Sequence, residues 1–210
     1  MPADIVFPQH NEKEFIQVAE RLGYTDIVFV YAKKKDVPEL KAFKTKVVLH
    51  AATLFPQRSL LTLAAAKDNL RHLLEHKKPD VIFGQEMMFS RDYMHQRGSG
   101  LDKVVCHIMH QQGNMLAFSL HQLRGGKRAM VMGRIMQNIK LARKYKVQTV
   151  VASFAKTPQE MRSPHDIKAL FTVLGMHSAE AKASLENIIT KIKQNKRKMK
   201  GEVPGVRILE

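Results

Sequence analysis

The sequence holds one cysteine, Cys106, and therefore no intrachain disulfide. That usage suits a reducing compartment, and a cytoplasmic location is expected. Tryptophan is absent and aromatics make up 7 % of the chain, which argues against a broad aromatic platform for stacking bases. No apolar run approaches the roughly 18 residues that would read as a membrane span, so no membrane partner is expected. Met1-Pro2-Ala3-Asp4 places no basic segment before an apolar stretch, unlike a secretory leader. The first candidate strand is not followed by a glycine-rich dinucleotide fingerprint, which removes one reason to expect an open doubly wound sheet. Acidic residues are scarce, 19 Asp plus Glu against 35 Lys plus Arg.

That imbalance gives a formal net charge of +16 and a pI of about 10.0. Such an excess says little about fold and much about partners. Nucleic acid is the commonest partner of a chain this basic, with an anionic membrane surface as the rival. The 210 residues, 44 % of them hydrophobic, suffice for one large domain with a real core. No internal repeat or low-complexity linker divides the chain. A single domain is expected over residues 1–200, with a C-terminal tail at 201–210.

The most legible stretch is 149–166. Thr149-Val150-Val151-Ala152 is an unbroken β-branched and apolar run, the pattern of a strand buried on both faces. A loop with Lys156 and Arg162 follows. Ser163 and Pro164 then announce a helix, and Asp166 completes a capping-box-like pair. Ile167, Leu170, Phe171 and Leu174 recur at helical spacing before Gly175.

The same alternation runs through the chain. Strands are expected at 4–7, 26–31, 47–54, 80–84, 115–119 and 147–153. Residues 60–65 read equally as a short strand or a helix start, because Ala and Leu favour helix. Helices are expected after Asn11 and Glu14, over 37–43 and 68–76, after a Ser99–Asp102 cap pair, over 128–146, and from Ser178. The expected inward faces include Leu101, Val104, Val105 and Ile108 in one helix, and Met132, Ile135, Met136, Ile139 and Ala142 in another. Seven or eight strand–helix units with short connections predict α/β architecture with a parallel sheet. A TIM-barrel-like (β/α) barrel is favoured, irregular if it has only seven strands.

In such a barrel every strand-to-helix loop lies on one rim. Those loops carry Lys33, Lys34 and Lys35, then Arg91 and Arg97, then Arg124, Lys127 and Arg128, then Lys156 and Arg162. A charge run alone is usually a solvated surface. Their meeting on one rim would make a positive surface suited to a phosphate backbone. Gly125-Gly126 before Lys127 lets backbone N–H groups approach an oxyanion, and reads equally as a flexible turn. The candidate RNA-binding residues are Lys156, Arg162, Arg128, Lys127, Arg124 and Arg97. Arg134, Arg143 and Lys144 read as facing RNA or solvent.

Catalytic signals are thin. His107 and His110 share a helix face without a supporting carboxylate pattern, and no paired-histidine metal motif follows an early strand. Glu86 is the best lone carboxylate on the rim, and reads equally as a partner for Arg91 or Arg97. Cys106, among Val104, Val105 and Ile108, reads as buried and inert. No catalytic or metal-ligating residue is assigned. The alternative function is a metal-dependent barrel phosphoesterase acting on a small phosphorylated substrate, on the strength of the fold and the Gly-Gly-Lys-Arg loop.

Three segments carry a family resemblance. They are Arg134-Ile135-Met136-Gln137-Asn138-Ile139-Lys140-Leu141-Ala142-Arg143-Lys144-Tyr145-Lys146-Val147, the stretch Ala152-Ser153-Phe154-Ala155-Lys156 through Met161-Arg162-Ser163-Pro164-His165-Asp166 to Leu174-Gly175-Met176, and Gly100-Leu101-Asp102-Lys103-Val104. They resemble the archaeal ribonuclease P protein component 3 family, relatives of the human 30 kDa subunit. The match is specific over residues 99–185, and Phe154 stands where that family often has Gly. The resemblance implies a TIM-barrel-like subunit without a metal site of its own, in an endoribonuclease that removes 5′ leaders from precursor tRNA. It implies that ribonuclease P RNA performs the cleavage and holds the Mg, with no cofactor on this chain. It implies a small ferredoxin-like protein partner, and contact with precursor tRNA only indirectly.

Overall fold

A computed structural model describes residues 1–54, 59–66 and 70–199. Seven strands form one parallel sheet in sequence order: β1 (Ala3–Val6), β2 (Asp26–Tyr31), β3 (Val48–Leu54), β4 (Thr62–Ala65), β5 (Val81–Phe83), β6 (Met115–Ser119) and β7 (Thr149–Ala152). Six helices cover it: α1 (Glu12–Leu22), α2 (Leu70–Lys77), α3 (Lys103–Gln112), α4 (Arg128–Lys144), α5 (Pro164–Val173) and α6 (Ser178–Met199). The sheet curls until Val6 bridges Ala155 just beyond β7, with the Phe7 N–H donating to the Ala155 carbonyl at 2.8 Å. The result is a nearly closed seven-stranded TIM-barrel-like barrel. The expected tail at 201–210 lies outside the described residues.

The alternation of each strand sorts its side chains. Ile5, Val28, Val30, Ala52, Leu61, Leu63, Val81, Ala117, Val150 and Ala152 fill the barrel. From α6, Ile188, Ile189 and Ile192 join that cluster, so the last helix stops one end of the barrel. Outward-facing Ile82, Leu116, Phe118 and Val151 pack under the stripes of α2 to α5. Phe15, Ile16 and Ala19 of α1 pack on Val6, Ile27 and Phe29. Residues 62–65 resolve as strand because Leu61 and Leu63 face the interior while Ala64 faces the helices; that period-two pattern outweighs local helix preference.

Several local expectations are corrected. Residues 37–43 give a single 3₁₀ turn at Leu40–Ala42, after another at Lys34–Asp36, and not an α-helix. Asn11 sits at the N-cap of α1 without capping it, because its Oδ1 accepts from the Gln9 N–H instead. Asp102 alone caps α3, accepting from the Val105 N–H at 2.7 Å, while buried Ser99 accepts from Gln137. Val104 and Met136 are exposed; the buried faces are Val105, Cys106 and Met109 in α3, and Val131, Ile135, Asn138, Ile139 and Ala142 in α4. Ser163 caps α5 as expected, accepting from the Asp166 N–H at 3.1 Å. Cys106 is buried, and burial pushes its thiol up to about 11.

The largest correction is Arg134, which is fully buried. Its Nε donates to Asp92 at 2.7 Å, and its Nη1 donates to the carbonyls of Glu86 and Phe89 at 2.7 and 2.8 Å. Beside it Asn138 donates to Glu86 Oε1 at 3.1 Å and to the Ser99 carbonyl at 2.8 Å. Glu86 is therefore no rim carboxylate and pairs with neither Arg91 nor Arg97. It lies under the β5–α3 loop, where burial pushes its carboxyl up to about 7 against the pull of Asn138, Gln85 and Arg134. This network staples a long loop to α4.

Candidate nucleic-acid interface at the barrel mouth

Two loops build the site on the rim beyond the carboxyl ends of the strands. After β6 the chain makes a 3₁₀ turn, His121–Arg124, and reaches α4 through Gly125-Gly126. After β7 it makes a second turn, Pro158–Glu160, and reaches α5. Glu160 ties the two loops together. Its Oε2 accepts from the Lys156 N–H at 2.9 Å and meets His121 Nδ1 at 3.2 Å; its Oε1 meets Arg124 Nη1 at 3.2 Å. Burial alone would raise this carboxyl, but the Lys156 N–H, His121 and Arg124 outweigh it and hold it below its ordinary range.

Between these loops lies a cavity of about 460 Å³, bordered by Arg124, Arg128, Arg162, Glu160 and Asp166 over a floor that includes Leu123, Ile167 and Leu170. The arginines are aimed by short backbone contacts. Arg128 Nε donates to the Leu123 carbonyl at 2.9 Å, and Arg162 Nη1 donates to the carbonyls of Gln159 and Met161 at 2.9 and 2.7 Å. Each contact fixes one part of a guanidinium and leaves its other N–H groups for a ligand. Tyr24 on the α1–β2 turn holds the same loop from behind, its hydroxyl donating to the Arg162 carbonyl at 2.7 Å. α4 begins beside the cavity at an N-terminus without a side-chain cap, which adds backbone N–H groups and the positive end of a helix dipole. The arrangement suits phosphate oxygens.

The six residues picked out by sequence do not all meet. Arg124, Arg128 and Arg162 share the cavity. Lys127 is exposed at the start of α4. Lys156 lines an adjoining hollow of about 200 Å³ with Phe7, Phe83, Phe154, Ser119, His121 and Gln122. Arg97 lines neither; its guanidinium lies over Gly133 in α4 and pairs loosely with Asp92 at 3.8 Å. The physical reason is the stapled β5–α3 loop, which carries Arg97 down the outside of α4.

Sequence reasoning missed Glu160 and the three phenylalanines. Glu160 carried a usable signal, an acid between Lys156 and Arg162 in a basic loop. Phe7 and Phe83 each stand at or just past the end of a strand, which is where the mouth of a barrel draws its side chains. Their ring centroids are 6.0 Å apart, and Phe154 approaches them at 6.1 and 5.3 Å. Among the described residues no group of three or more His, Cys, Asp or Glu is placed to hold a metal ion. No helix among them is long and apolar enough to cross a membrane.

A family model described as RNase P subunit p30 matches residues 44–200. Ribonuclease P protein component 3 of Methanosarcina mazei is 24 % identical over 213 residues, covering 94 % of this chain and 89 % of that protein. The protein of the same name from Methanococcoides burtonii is 34 % identical over 118 residues, 54 % of this chain and 49 % of its own length. Among solved structures, a chain in the cryo-EM structure of archaeal ribonuclease P with mature tRNA superposes with a TM-score of 0.76 at 19 % identity, covering 98 % of both chains. A histidinol phosphate phosphatase from Lactococcus lactis, complexed with zinc, L-histidinol and phosphate, shares the fold more distantly. Its TM-score is 0.54 at 8 % identity, over 84 % of this chain and 94 % of that one.

Proposed function

The chain belongs to the RNase P subunit p30 family, and on that premise we propose that it is the protein subunit of ribonuclease P that grips RNA through the arginine-lined cavity at its barrel mouth. The observation that carries this is the convergence of Arg124, Arg128 and Arg162 from two loops on one cavity. Of the two carboxylates there, Glu160 is engaged by His121, Arg124 and the Lys156 N–H. The subunit supports 5′-leader removal from precursor tRNA by binding and steadying the catalytic RNA. Cleavage and its Mg are assigned to the RNA subunit, and none of this chain's residues is given a catalytic role. Lys127 and Lys156 extend the positive surface to either side. Contact with a small ferredoxin-like protein subunit completes this reading, which rests on the family resemblance. The lone buried thiol supports a cytoplasmic setting.

Gel-shift titration of ribonuclease P RNA with the full chain tests it, at several salt concentrations and with the other protein subunits present. Affinity should fall steeply with salt as counterions released from phosphates are regained. Replacing Arg124, Arg128 and Arg162 together with Ala should flatten that dependence. Binding that ignores salt, or ignores all three replacements, would sink the proposal.

A further inference from the structure

The arginine cavity accounts for phosphates but not for the hollow next to it. That hollow has features a backbone grip does not require. Three of the ten phenylalanines in the chain gather there. Phe83 and Phe154 stack with centroids 5.3 Å apart and planes inclined by 29°. Phe154 holds a left-handed backbone at φ 51°, a conformation that side chains other than Gly, Asn and Asp rarely adopt. The strain places its ring, only 2 % exposed, against Phe83, so that Phe154 supports the half-buried rings of Phe7 and Phe83. Gln122 reaches the same hollow over Gly84, whose φ of 85° and lack of a Cβ leave room for the amide. The Gln122 carbonyl oxygen is buried without a partner among the described residues. Lys156 supplies a cation at the edge. The wall between the two cavities is shared: His121 and Lys156 line the hollow, and both are bonded to Glu160, which lines the arginine cavity.

Aromatic faces, an amide that can both donate and accept, and a neighbouring cationic cavity match one ligand chemistry: a planar heterocycle attached to a phosphate. A hollow of about 200 Å³ admits one base and no helical segment. We propose that the barrel mouth receives a single unstacked nucleotide of the bound RNA, its base against Phe7 and Phe83 and facing Gln122, its phosphate on the Lys156 side toward Arg124, Arg128 and Arg162. Single-stranded RNA is recognised this way, by splaying a base onto aromatic faces and meeting its edge with hydrogen bonds. The low overall aromatic content is compatible, because one concentrated cluster serves where a sheet-wide platform is missing.

This inference rests on the reading of the neighbouring cavity as an RNA grip, and the experiment separates the two. The probe is an unstructured oligouridine carrying one 2-aminopurine, titrated with the full chain, with the same oligonucleotide as a duplex and free adenosine monophosphate as further arms. Insertion should change 2-aminopurine emission for the single strand and not for the duplex. Phe83→Leu and Gln122→Ala should each weaken single-strand binding about tenfold; thermal melts show which variant is folded, and either folded variant decides. RNA that binds with unchanged emission, or with the affinity of both variants intact, overturns the base pocket and leaves the phosphate grip standing. Loss of all RNA binding by the wild-type chain overturns both. Efficient competition by the free nucleotide overturns RNA as the source of the base.

Discussion

Asp4 on β1 and Ser153 just past β7 join the two ends of the sheet where the backbone ladder is almost absent. Asp4 Oδ1 accepts from the Ser153 N–H at 2.7 Å, and its Oδ2 accepts from the Ser153 hydroxyl at 2.6 Å. A third bond comes from the Ile5 N–H at 2.9 Å. One buried carboxylate thus substitutes for strand pairing at the seam. Asp4→Ala strands buried donors and should cost about 3 kcal/mol of stability. Asp4→Asn keeps an acceptor for the Ser153 N–H and turns the hydroxyl into the acceptor, so it should cost about 1 kcal/mol or less at pH 5. Chemical denaturation of the two variants checks the contrast; equal losses would show that the seam does not depend on these bonds.

The pH dependence follows from two raised carboxyls. Burial is the main cause in each, pushing Asp4 from 3.8 to about 6 and Glu86 from 4.5 to about 7. The folded state therefore binds these protons more tightly than the unfolded one. Stability from this source is highest below the unfolded values and falls as pH rises from about 4 through about 7. Full ionisation costs about 3 kcal/mol per group by the shift alone. Glu160 and Asp92, held below their ordinary range, act oppositely and matter only under more acidic conditions. The chain should be less stable at pH 8 than at pH 5 in urea titrations, and Glu86→Gln should remove roughly half of that difference. A wild-type chain that gains stability over this interval contradicts the assignment.

Arg134→Ala should be among the most damaging single changes, at about 3–5 kcal/mol, because it takes a buried guanidinium from Asp92 and from the carbonyls of Glu86 and Phe89. Arg134→Lys cannot span the same three acceptors and should recover less than half of the loss. Hydrogen exchange over residues 85–99 should accelerate in both variants. Unchanged exchange there would mean that the loop holds its shape without the staple.

How much of this was readable beforehand depends on where each residue's partners lie. The β7 run Thr149–Ala152 and the Ser163 cap of α5 are local patterns, and both stand as read. Sequence alone turns Arg134 toward RNA or solvent, because arginine on a helix is ordinarily solvated. Its burial is set by carbonyls 48 and 45 residues away, which no window of sequence contains. Periodicity puts Val104 with Val105, and Ile135 with Met136, on the inward faces; Val105 and Ile135 reach the core, while Val104 and Met136 fall on the exposed side. The rim cations were legible as a list of loops. Their sorting into a cavity, its neighbour and an outlying Arg97 needed the loop geometry.

At the arginine cavity, Arg128→Ala and Arg162→Ala should each lower the slope of log affinity against log salt by about 0.7–0.9 if each guanidinium neutralises one phosphate. The triple variant with Arg124→Ala should lower it by about two or more. Thermal melting should move little, because these side chains are exposed and bond mainly to neighbouring carbonyls. A lost affinity with an unchanged slope would place the contribution in structure rather than in phosphate contact.

Two glycines separate the stapled loop from the cation it carries. Gly100 lies at φ 79°, and an added Cβ there would collide with the backbone carbonyl of Gln85, next to Glu86. Backbone cannot step aside, so Gly100→Ala should cost about 2–4 kcal/mol. Gly133 sits in the middle of α4, and the three atoms nearest to its added Cβ all belong to the guanidinium of Arg97. That side chain is exposed, its pairing with Asp92 is long at 3.8 Å, and it can swing away cheaply. Removing a glycine from a helix interior then gains up to about 1 kcal/mol. Gly133→Ala should therefore match or exceed the wild-type melting temperature while displacing Arg97 from its present seat. If RNA affinity is unchanged in that variant, Arg97 takes no part in the grip from where it now lies. If affinity falls, the outer face of α4 belongs to the interface as well.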